Sequence, residues 1–439
     1  MLYFSKNIKK CLFGFVVILS AITSVLAQAS ANLLGDLPET REMKVRIIKG
    51  AELPMLLGKI SADYSIMAVS GGALVPIPFQ FDDWNTRGFP FVPGGTLAVD
   101  GKEGVFEEKD ELVFMLRDTG PQADKAVKAG VEGKIINELA FKEKGVERYA
   151  YIVKGNAKRS GKKYTHYDMK TGLIKTSKYS LQTDPDNLLS WSDMYYESYH
   201  DGKKTILDTM KLRIKAKLGF IKATINNNLI PNEVSAVKNG PVRSLIALDA
   251  SISILGVGLA DAGASVTVTD QTLQFPVYLT IPRAASILSD LSLEISLDFH
   301  DMDGVSVRTE LGPKEPIYAG DKTKGSRPED GKIDLEHSWL SGSTGENWDI
   351  ITFFSGKAGF TPSLDVIYKD SRFDEKPDAP ERFEGSHPHV GYKVGNLAYG
   401  EGIVIGIDLY FDDAFWSKDG LENAVQMIRK PMPLTVTTF

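Results

Sequence analysis

The sequence predicts a mainly β protein with two antiparallel β-sandwich-like regions and few short helices. Apolar and polar residues alternate with a period of two in many short runs along the 439 residues. These runs are rich in Val, Ile, Thr, Tyr and Phe, and turn-forming Gly, Asn, Asp or Pro bounds them. Because helical periodicity is rare and does not alternate with the strands, a parallel α/β sheet is not expected.

The alternating runs give the predicted strands in chain order. They cover residues 43–48, 74–81, 111–116, 148–153, 210–216, 241–250, 264–268, 273–281, 291–299, 403–411 and 434–438. The clearest helix is predicted for 421–429, with Asp419 as its N-cap and Pro431 beyond its end. A weaker helical turn is predicted for 284–291.

The first residues have the features of a signal peptide. Lys6, Lys9 and Lys10 precede a short apolar run, and small residues follow before Gln28, so residues 1–27 are predicted to be cleaved. A retained anchor is the alternative, but the run is short for a membrane span. No span is expected in the mature chain, which is predicted to be periplasmic or extracellular.

The rest of the chain is predicted to divide in two. A basic, turn-rich stretch near 155–185 separates an N-terminal β-sandwich, 32–155, from a larger C-terminal β-region, 180–439. A long polar loop at 312–347 interrupts the second region, and loops of this length are often functional.

Charge and cysteine content exclude several classes of function. The chain has 51 basic and 57 acidic residues, and loss of the leader's three lysines changes its formal charge from −6 to −9. Without a basic excess, nucleic acid is not expected as a partner. The leader also contains the only cysteine, Cys11, so disulfides, a thiol nucleophile and an iron–sulfur cluster are excluded from the mature chain. No phosphate loop, dinucleotide fingerprint or nucleophile elbow is present.

Aspartates at two places could bind calcium, the one cofactor that the sequence suggests. Asp82 and Asp83 follow a strand, and Asp301 and Asp303 precede Gly304. Their spacing does not complete a calcium loop, so turns are the alternative. In that case Asp303-Gly304 closes a hairpin between strands ending at 299 and starting at 305.

Histidines supply the candidate catalytic groups. His387 and His389 are two apart on an extended segment, where their side chains would point the same way. His337 lies near Asp334 and Glu336 and could act as a general base or a further ligand. Solvated loop histidines are the alternative.

Four aromatic residues are candidates for ligand binding. Trp84 follows the acidic pair, and Trp191, Tyr195 and Tyr199 lie in the segment WSDMYYESYH. Such rings could stack on the faces of sugars, or they could seal the edge of a sandwich.

Several blocks resemble a family of uncharacterised exported bacterial β-rich proteins. They are PIPFQFDD at 76–83, KDELVFM at 109–115, RDTG at 117–120 and NGPVR at 239–243. Part of the pattern is also similar to exported polysaccharide lyases with large β-sandwich domains. The resemblance covers about a quarter of the chain and implies fold more than activity.

The sequence therefore favours an exported, soluble β-sandwich protein that binds an extracellular ligand, with a glycan as the favoured partner. One alternative is a carbohydrate-active enzyme, a lyase or a hydrolase. The other is a structural or assembly protein with a cell-envelope component as its partner.

Overall fold

The computed structural model describes residues 35–312, 314–320, 332–356, 361–370, 381–383, 385, 388–397 and 399–439. Within these residues the prediction of a mainly β protein is confirmed: 29 strands form six antiparallel sheets, and α-helices are few and short. The predicted leader lies outside the described residues.

The first part of the chain contains three sheets. A five-stranded sheet has the order β29-β8-β9-β3-β4, a three-stranded sheet has the order β1-β7-β5, and β2 pairs with β6. The strands are β1 (Val45–Lys49), β2 (Lys59–Ile60), β3 (Tyr64–Ser70), β4 (Ala73–Pro76), β5 (Phe79–Asp82), β6 (Val105–Phe106), β7 (Glu111–Met115), β8 (Lys134–Glu143), β9 (Val146–Lys154) and β29 (Leu434–Thr438). Because β29 pairs with β8, the C-terminal strand returns to the N-terminal sheet.

The remaining strands form three larger sheets. Their orders are β10-β11-β12-β13, β15-β14-β20-β27-β26-β23 and β16-β17-β18-β19-β28-β25-β24-β21-β22. The strands up to the middle of this region are β10 (Thr165–Asp168), β11 (Leu173–Thr176), β12 (Tyr179–Asp184), β13 (Asn187–Tyr196), β14 (Leu207–Leu218), β15 (Ile221–Asn226), β16 (Asn232–Asn239), β17 (Ser244–Ile254), β18 (Val257–Val268) and β19 (Thr272–Thr280). The later strands are β20 (Ser289–Phe299), β21 (Ser306–Thr309), β22 (Ile317–Tyr318), β23 (Lys332–Ile333), β24 (Leu340–Ser343), β25 (Asp349–Gly356), β26 (Ser363–Lys369), β27 (His389–Gly395) and β28 (Gly402–Asp412).

The six- and nine-stranded sheets share one hydrophobic core. Alternate side chains of strands in both sheets, among them Met210, Ile295, Val266 and Ile407, belong to a single buried cluster. The residues between them on each strand point the other way, which is the period of two seen in the sequence. These two sheets therefore form a sandwich.

The α-helices are α1 (Glu39–Glu42), α2 (Lys125–Ala129) and α3 (Leu421–Arg429). The predicted bounds of α3 are confirmed, and its Leu421, Val425 and Ile428 pack against the nine-stranded sheet. The predicted cap is wrong. Gly420 occupies the N-cap position, and Asp419 instead accepts hydrogen bonds from the backbone and hydroxyl of Thr40. Among the residues described, no helix is long and apolar enough to cross a membrane.

The predicted hairpin at Asp303-Gly304 is also wrong. The strand before it, β20, pairs with β14 and β27, whereas β21 after it pairs with β22 and β24 in the nine-stranded sheet. The turn therefore carries the chain from one layer of the sandwich to the other. Alternation predicts each strand but not the sheet that it joins.

Candidate functional site

Three of the four sequence blocks named above meet in a buried ionic network. Arg243 donates to Asp82 from Nε over 2.8 Å and to Glu111 from Nη2 over 2.5 Å. The side-chain oxygen of Gln80 accepts hydrogen bonds from the backbone N–H groups of Val242 and Arg243. Gly240 permits this approach, because a Cβ there would lie 2.1 Å from the same oxygen. The network joins β5 and β7 to the start of β17.

The network gives Asp82 a structural partner on each side. Lys238 contacts its Oδ1 at 2.7 Å, while Arg243 contacts Oδ2. Burial alone would raise the pKa of Asp82, but these two cations outweigh it and hold the pKa below its usual value. Asp82 is fully buried, so its carboxylate is engaged by ion pairs and not by solvent.

A cleft of about 480 Å³ lies on the other side of β5. Its lining includes Ile60, Ser61, Phe79, Phe81, Asp83 and Arg159. The volume is within the range of small-molecule sites. Successive side chains of a strand point to opposite faces, so the two Phe residues face the cleft while Gln80 and Asp82 face the network.

Aromatic rings form one wall of the cleft. The rings of Phe79 and Phe81 meet edge to face with centroids 5.8 Å apart, and Phe81 meets Phe106 in the same way at 5.2 Å. The guanidinium of Arg159 lies over the ring of Phe79 at 5.2 Å, and it also donates to the backbone oxygen of Ala62. These contacts fix the position of the wall.

Polar groups of both charges complete the cleft. Asp83 accepts a hydrogen bond from the backbone N–H of Gly104, and burial raises its pKa. Glu103 and Lys238 also line the cleft, so it contains two acids and, with Arg159, two cations. The hydroxyl of Ser61 has no hydrogen-bond partner within the part of the chain that the structure describes. Formal charges in the lining of the cleft thus balance.

The structure separates the four predicted calcium ligands. Asp83 lines the cleft, and Asp82 belongs to the network. Asp301, at a positive φ of 51°, pairs with Lys204 at 3.3 Å in the turn between the two layers. Asp303 lies in the same turn, beside Gly320. In the described ranges one group of three candidate ligands is close enough to share an ion, and it contains none of these four.

That group consists of Asp208, Asp298 and Glu381, and it already has a resident cation. The ammonium of Lys211 contacts Asp298 at 2.6 Å and Glu381 at 3.5 Å. Asp208 accepts hydrogen bonds from the backbone N–H groups of Arg382 and Phe383. Burial raises the pKa of Asp298 to about 7, although Lys211 opposes the shift. The group attaches residues 381–383 to β14 and β20.

The candidate catalytic histidines differ in their surroundings. His389 is buried opposite Asp298, and its Nε2 is 2.5 Å from the hydroxyl of Ser296. Burial lowers its pKa well below the usual value, and Lys211 adds to the shift. His337 is exposed and contacts Asp334 at 3.0 Å. His387 lies outside the described residues.

The candidate aromatic residues do not gather at the cleft. Trp191 and Tyr199 belong to the core of the large sandwich, and Tyr195 is half-buried on β13. Trp84 is half-buried, with the ammonium of Lys49 3.5 Å above its ring. In this structure Trp191 and Tyr199 therefore act in packing, and ligand contact by the four residues stays a prediction.

Sequence reasoning identified one residue of the cleft, Asp83, and missed its aromatic wall. The signal was present: Phe79 and Phe81 are two apart in PIPFQFDD and so share a face of one strand. Arg159 and Lys238 come from distant segments, and local patterns do not indicate that they approach β5.

No protein-family model matches the chain, and no curated protein matches it by sequence. Among solved structures, an α-mannosidase from Enterococcus faecalis V583 is 9% identical, with a TM-score of 0.48 over 92% of this chain and 45% of its own. The α-N-acetylgalactosaminidase NagBb from Bifidobacterium bifidum is 9% identical, with a TM-score of 0.32 over 58% and 38%. A galactose mutarotase-like protein from Clostridium acetobutylicum is 10% identical, with a TM-score of 0.34 over 57% and 98%. The chain spans less than half of the first two proteins. At this level of similarity none of the three indicates an activity for it.

Proposed function

We propose that the protein is exported and binds a glycan in the cleft beside β5. The aromatic wall of Phe79 and Phe81 carries the proposal. At one side of the 480 Å³ cleft the half-buried ring of Phe81, held edge to face by Phe79 and Phe106, offers an apolar surface to the C–H face of a sugar. The leader motif of residues 1–27 supports export.

The polar lining supports a neutral or weakly charged polyhydroxylated ligand. Carboxylates such as Asp83 accept hydrogen bonds from sugar hydroxyls, and Arg159 donates them. With two acids and two cations in the lining, the cleft has no excess charge to select a strongly charged ligand. Ligand orientation would then depend on hydrogen bonds, and affinity on the rings.

Affinity electrophoresis tests this proposal. The mature chain should be retarded in gels that contain laminarin, mannan or xyloglucan, three neutral polysaccharides, with at least one of the three giving retardation. Phe81→Ala should weaken that binding at least about fivefold, because an aromatic contact contributes about 1 kcal/mol beyond the area that it buries. Arg159→Gln should weaken it by loss of a donor.

Matched controls are available elsewhere on the surface. Phe220 is 94% exposed and outside the cleft, so Phe220→Ala should leave retardation unchanged. Arg87 lies 5.4 Å above the ring of Tyr278, much as Arg159 lies above Phe79, and Arg87→Gln should also have no effect. Absence of retardation by all three polysaccharides, or equal retardation of Phe81→Ala and wild type, would reject glycan binding in the cleft.

A second candidate function is glycan hydrolysis, which the carboxyl groups of Asp83 and Glu103 in the cleft favour. Burial raises the pKa of Asp83, as a general acid requires, and Glu103 is exposed in the same cleft. A hydrolase would release reducing ends from a retarding polysaccharide, and Asp83→Asn would abolish release while keeping retardation. If the wild type binds the polysaccharide but releases no reducing ends, hydrolysis is rejected and the proposed binding function stands.

A further inference from the structure

The strand β15 forms an open edge of the six-stranded sheet. In the described part of the chain its one sheet partner is β14, and the register between the two strands runs without a shift over the whole of β15. Ile221, Lys222 and Thr224 are exposed, as expected for a strand with one open side. Unpaired backbone groups on such a strand are a template for pairing with another strand.

The other edges of the two large sheets are short or irregular. The edge strands β22 and β23 consist of two residues each. The edge strand β16 has a register shift between Val234 and Ala236, and Ala236 packs against Val92. Short length, bulges, proline and several charges are the features by which natural sheets prevent pairing at their edges. In contrast, β15 is regular, contains no proline and has one charged residue, Lys222.

The turn between β14 and β15 determines which backbone groups of β15 are directed outward. The turn residue Gly219 has a φ of 60°, whereas the φ of Phe220 is not positive, so this two-residue loop is a type II′ turn. The pair that flanks such a turn is hydrogen-bonded, and bonded and non-bonded pairs alternate along an antiparallel ladder. Three alternate residues of β15 therefore direct their backbone groups away from β14: Lys222, Thr224 and Asn226.

Exposed apolar side chains lie at both ends of β15. Phe220, which is 94% exposed, precedes the strand. Leu229, which is 61% exposed, follows it in the 3-10 turn Asn227–Leu229. This turn is held in place by the buried side chain of Asn227, which donates to the backbone oxygens of Leu189 and Met210. Single exposed apolar residues are ordinary, but two that flank one open edge indicate a contact surface.

An antiparallel pairing of β15 with β15 of a second copy uses all of these features. When the two-fold axis passes beside Thr224, this residue faces its own copy, and Lys222 faces Asn226 of the second copy. The three outward pairs then form about six backbone hydrogen bonds, and no like charges are opposed. Because the two strands run in opposite directions, Phe220 of each copy lies beside Leu229 of the other. One symmetric contact thus covers both exposed side chains, which an unrelated strand has no reason to match.

We propose that two copies of this protein associate through their β15 edges, which joins the two six-stranded sheets into one continuous sheet. A short strand pair with two apolar contacts is a small interface, so a dissociation constant of roughly micromolar order is expected. No residue of β15 lines the polar cleft, so this association and glycan binding are separate properties.

Sedimentation velocity of the mature chain tests the proposal. Between about 1 and 100 μM the wild type should change from monomer to dimer. Thr224→Pro should stay monomeric over this range, because it removes the outward N–H at the centre of the pairing but no hydrogen bond to β14. Thr224→Val keeps that donor and should dimerise as the wild type does.

A second pair of variants tests the apolar contact. Phe220→Ala should raise the dissociation constant at least about tenfold, because each dimer covers two of these side chains. Leu311 is 51% exposed and follows β21 in the other large sheet, so Leu311→Ala should leave the dissociation constant unchanged.

The residue that faces its own copy provides a test of the register. Thr224→Lys and Thr224→Glu each place two like charges opposite one another, so each variant alone should be monomeric at about 100 μM. An equimolar mixture of the two should dimerise, because opposite charges then face each other. Since the side chain of Thr224 is exposed, both variants should melt close to the wild type at about 1 μM. A wild type that stays monomeric to about 100 μM, a dimer that persists in Thr224→Pro, or a mixture that does not associate would overturn the proposal.

Discussion

Arg243 is the residue whose replacement should destabilise the fold most directly. Its side chain is buried and bonded to two buried carboxylates, Asp82 and Glu111. Arg243→Met keeps much of the volume and removes the charge, which leaves the two carboxylates closely spaced without their shared cation. Breaking a buried ion pair in this way costs about 3–5 kcal/mol.

The neighbouring cations place the expected loss at the lower end of that range. Lys238 still contacts Asp82 at 2.7 Å, and Lys49 still contacts Glu111 at 2.5 Å. We therefore expect Arg243→Met to lower the free energy of unfolding by about 3 kcal/mol. Urea unfolding followed by tryptophan fluorescence measures the loss.

Two further variants test the reasoning. Lys142 and Glu147 form an ion pair in which both side chains are about half exposed, so Lys142→Met should lower stability far less than Arg243→Met does. In a double-mutant cycle, Asp82→Asn combined with Arg243→Met should cost less than the sum of the two single changes. If Arg243→Met lowers the free energy of unfolding by less than about 1 kcal/mol, or if the cycle is strictly additive, the network is not the main ionic contact between β5, β7 and the start of β17.

Other predictions concern the buried acid and histidine of the large sandwich and a crowded glycine. Burial raises the pKa of Asp298 from 3.8 to about 7, so the folded state holds a proton that the unfolded state releases, and stability should fall by up to about 4 kcal/mol as pH rises from 4 to 7. Asp298→Asn should flatten this part of a stability–pH curve measured by urea unfolding, and an unchanged slope would contradict the shift. His389→Ala should cost about 1–3 kcal/mol because it removes the shorter of the two hydrogen bonds of the buried Ser296 hydroxyl, whereas exposed His337→Ala should cause little change in the same assay. Gly240→Ala should lower the melting temperature, since its Cβ would displace the bonded side chain of Gln80, and a melting temperature equal to the wild type would show that this side chain is free to move.

The parts of the fold that the sequence predicts are those encoded locally. Alternation identifies strands such as 291–299 and 403–411, and an apolar stripe identifies α3, because each pattern depends on residues a few positions apart. Pairing between distant strands has no such signal. The return of β29 to β8 and the separation of β20 from β21 into different layers depend on contacts that the whole chain must satisfy together.

The candidate site shows the same division. The block PIPFQFDD contains both faces of the site, one in Phe79 and Phe81 and the other in Gln80 and Asp82. The block does not indicate which residues, distant in the sequence, contact each of these two faces. Arg243 is 161 positions from Asp82, so the sequence alone leaves that carboxylate as readily a calcium ligand as a member of an ion pair.

Lys238 connects the two faces of β5 and explains why they belong together. Its ammonium contacts Asp82 in the network and donates to the backbone oxygen of Phe81 over 3.1 Å, while its side chain lines the cleft. The network therefore fixes one polar wall of the cleft as well as the contact between β5 and the nine-stranded sheet. An aromatic wall that binds a ligand must be held rigidly, because any freedom of the rings would be lost on binding and would reduce affinity. We infer that the buried charges of the network are retained because they fix this geometry, whatever their net stability against apolar substitutes.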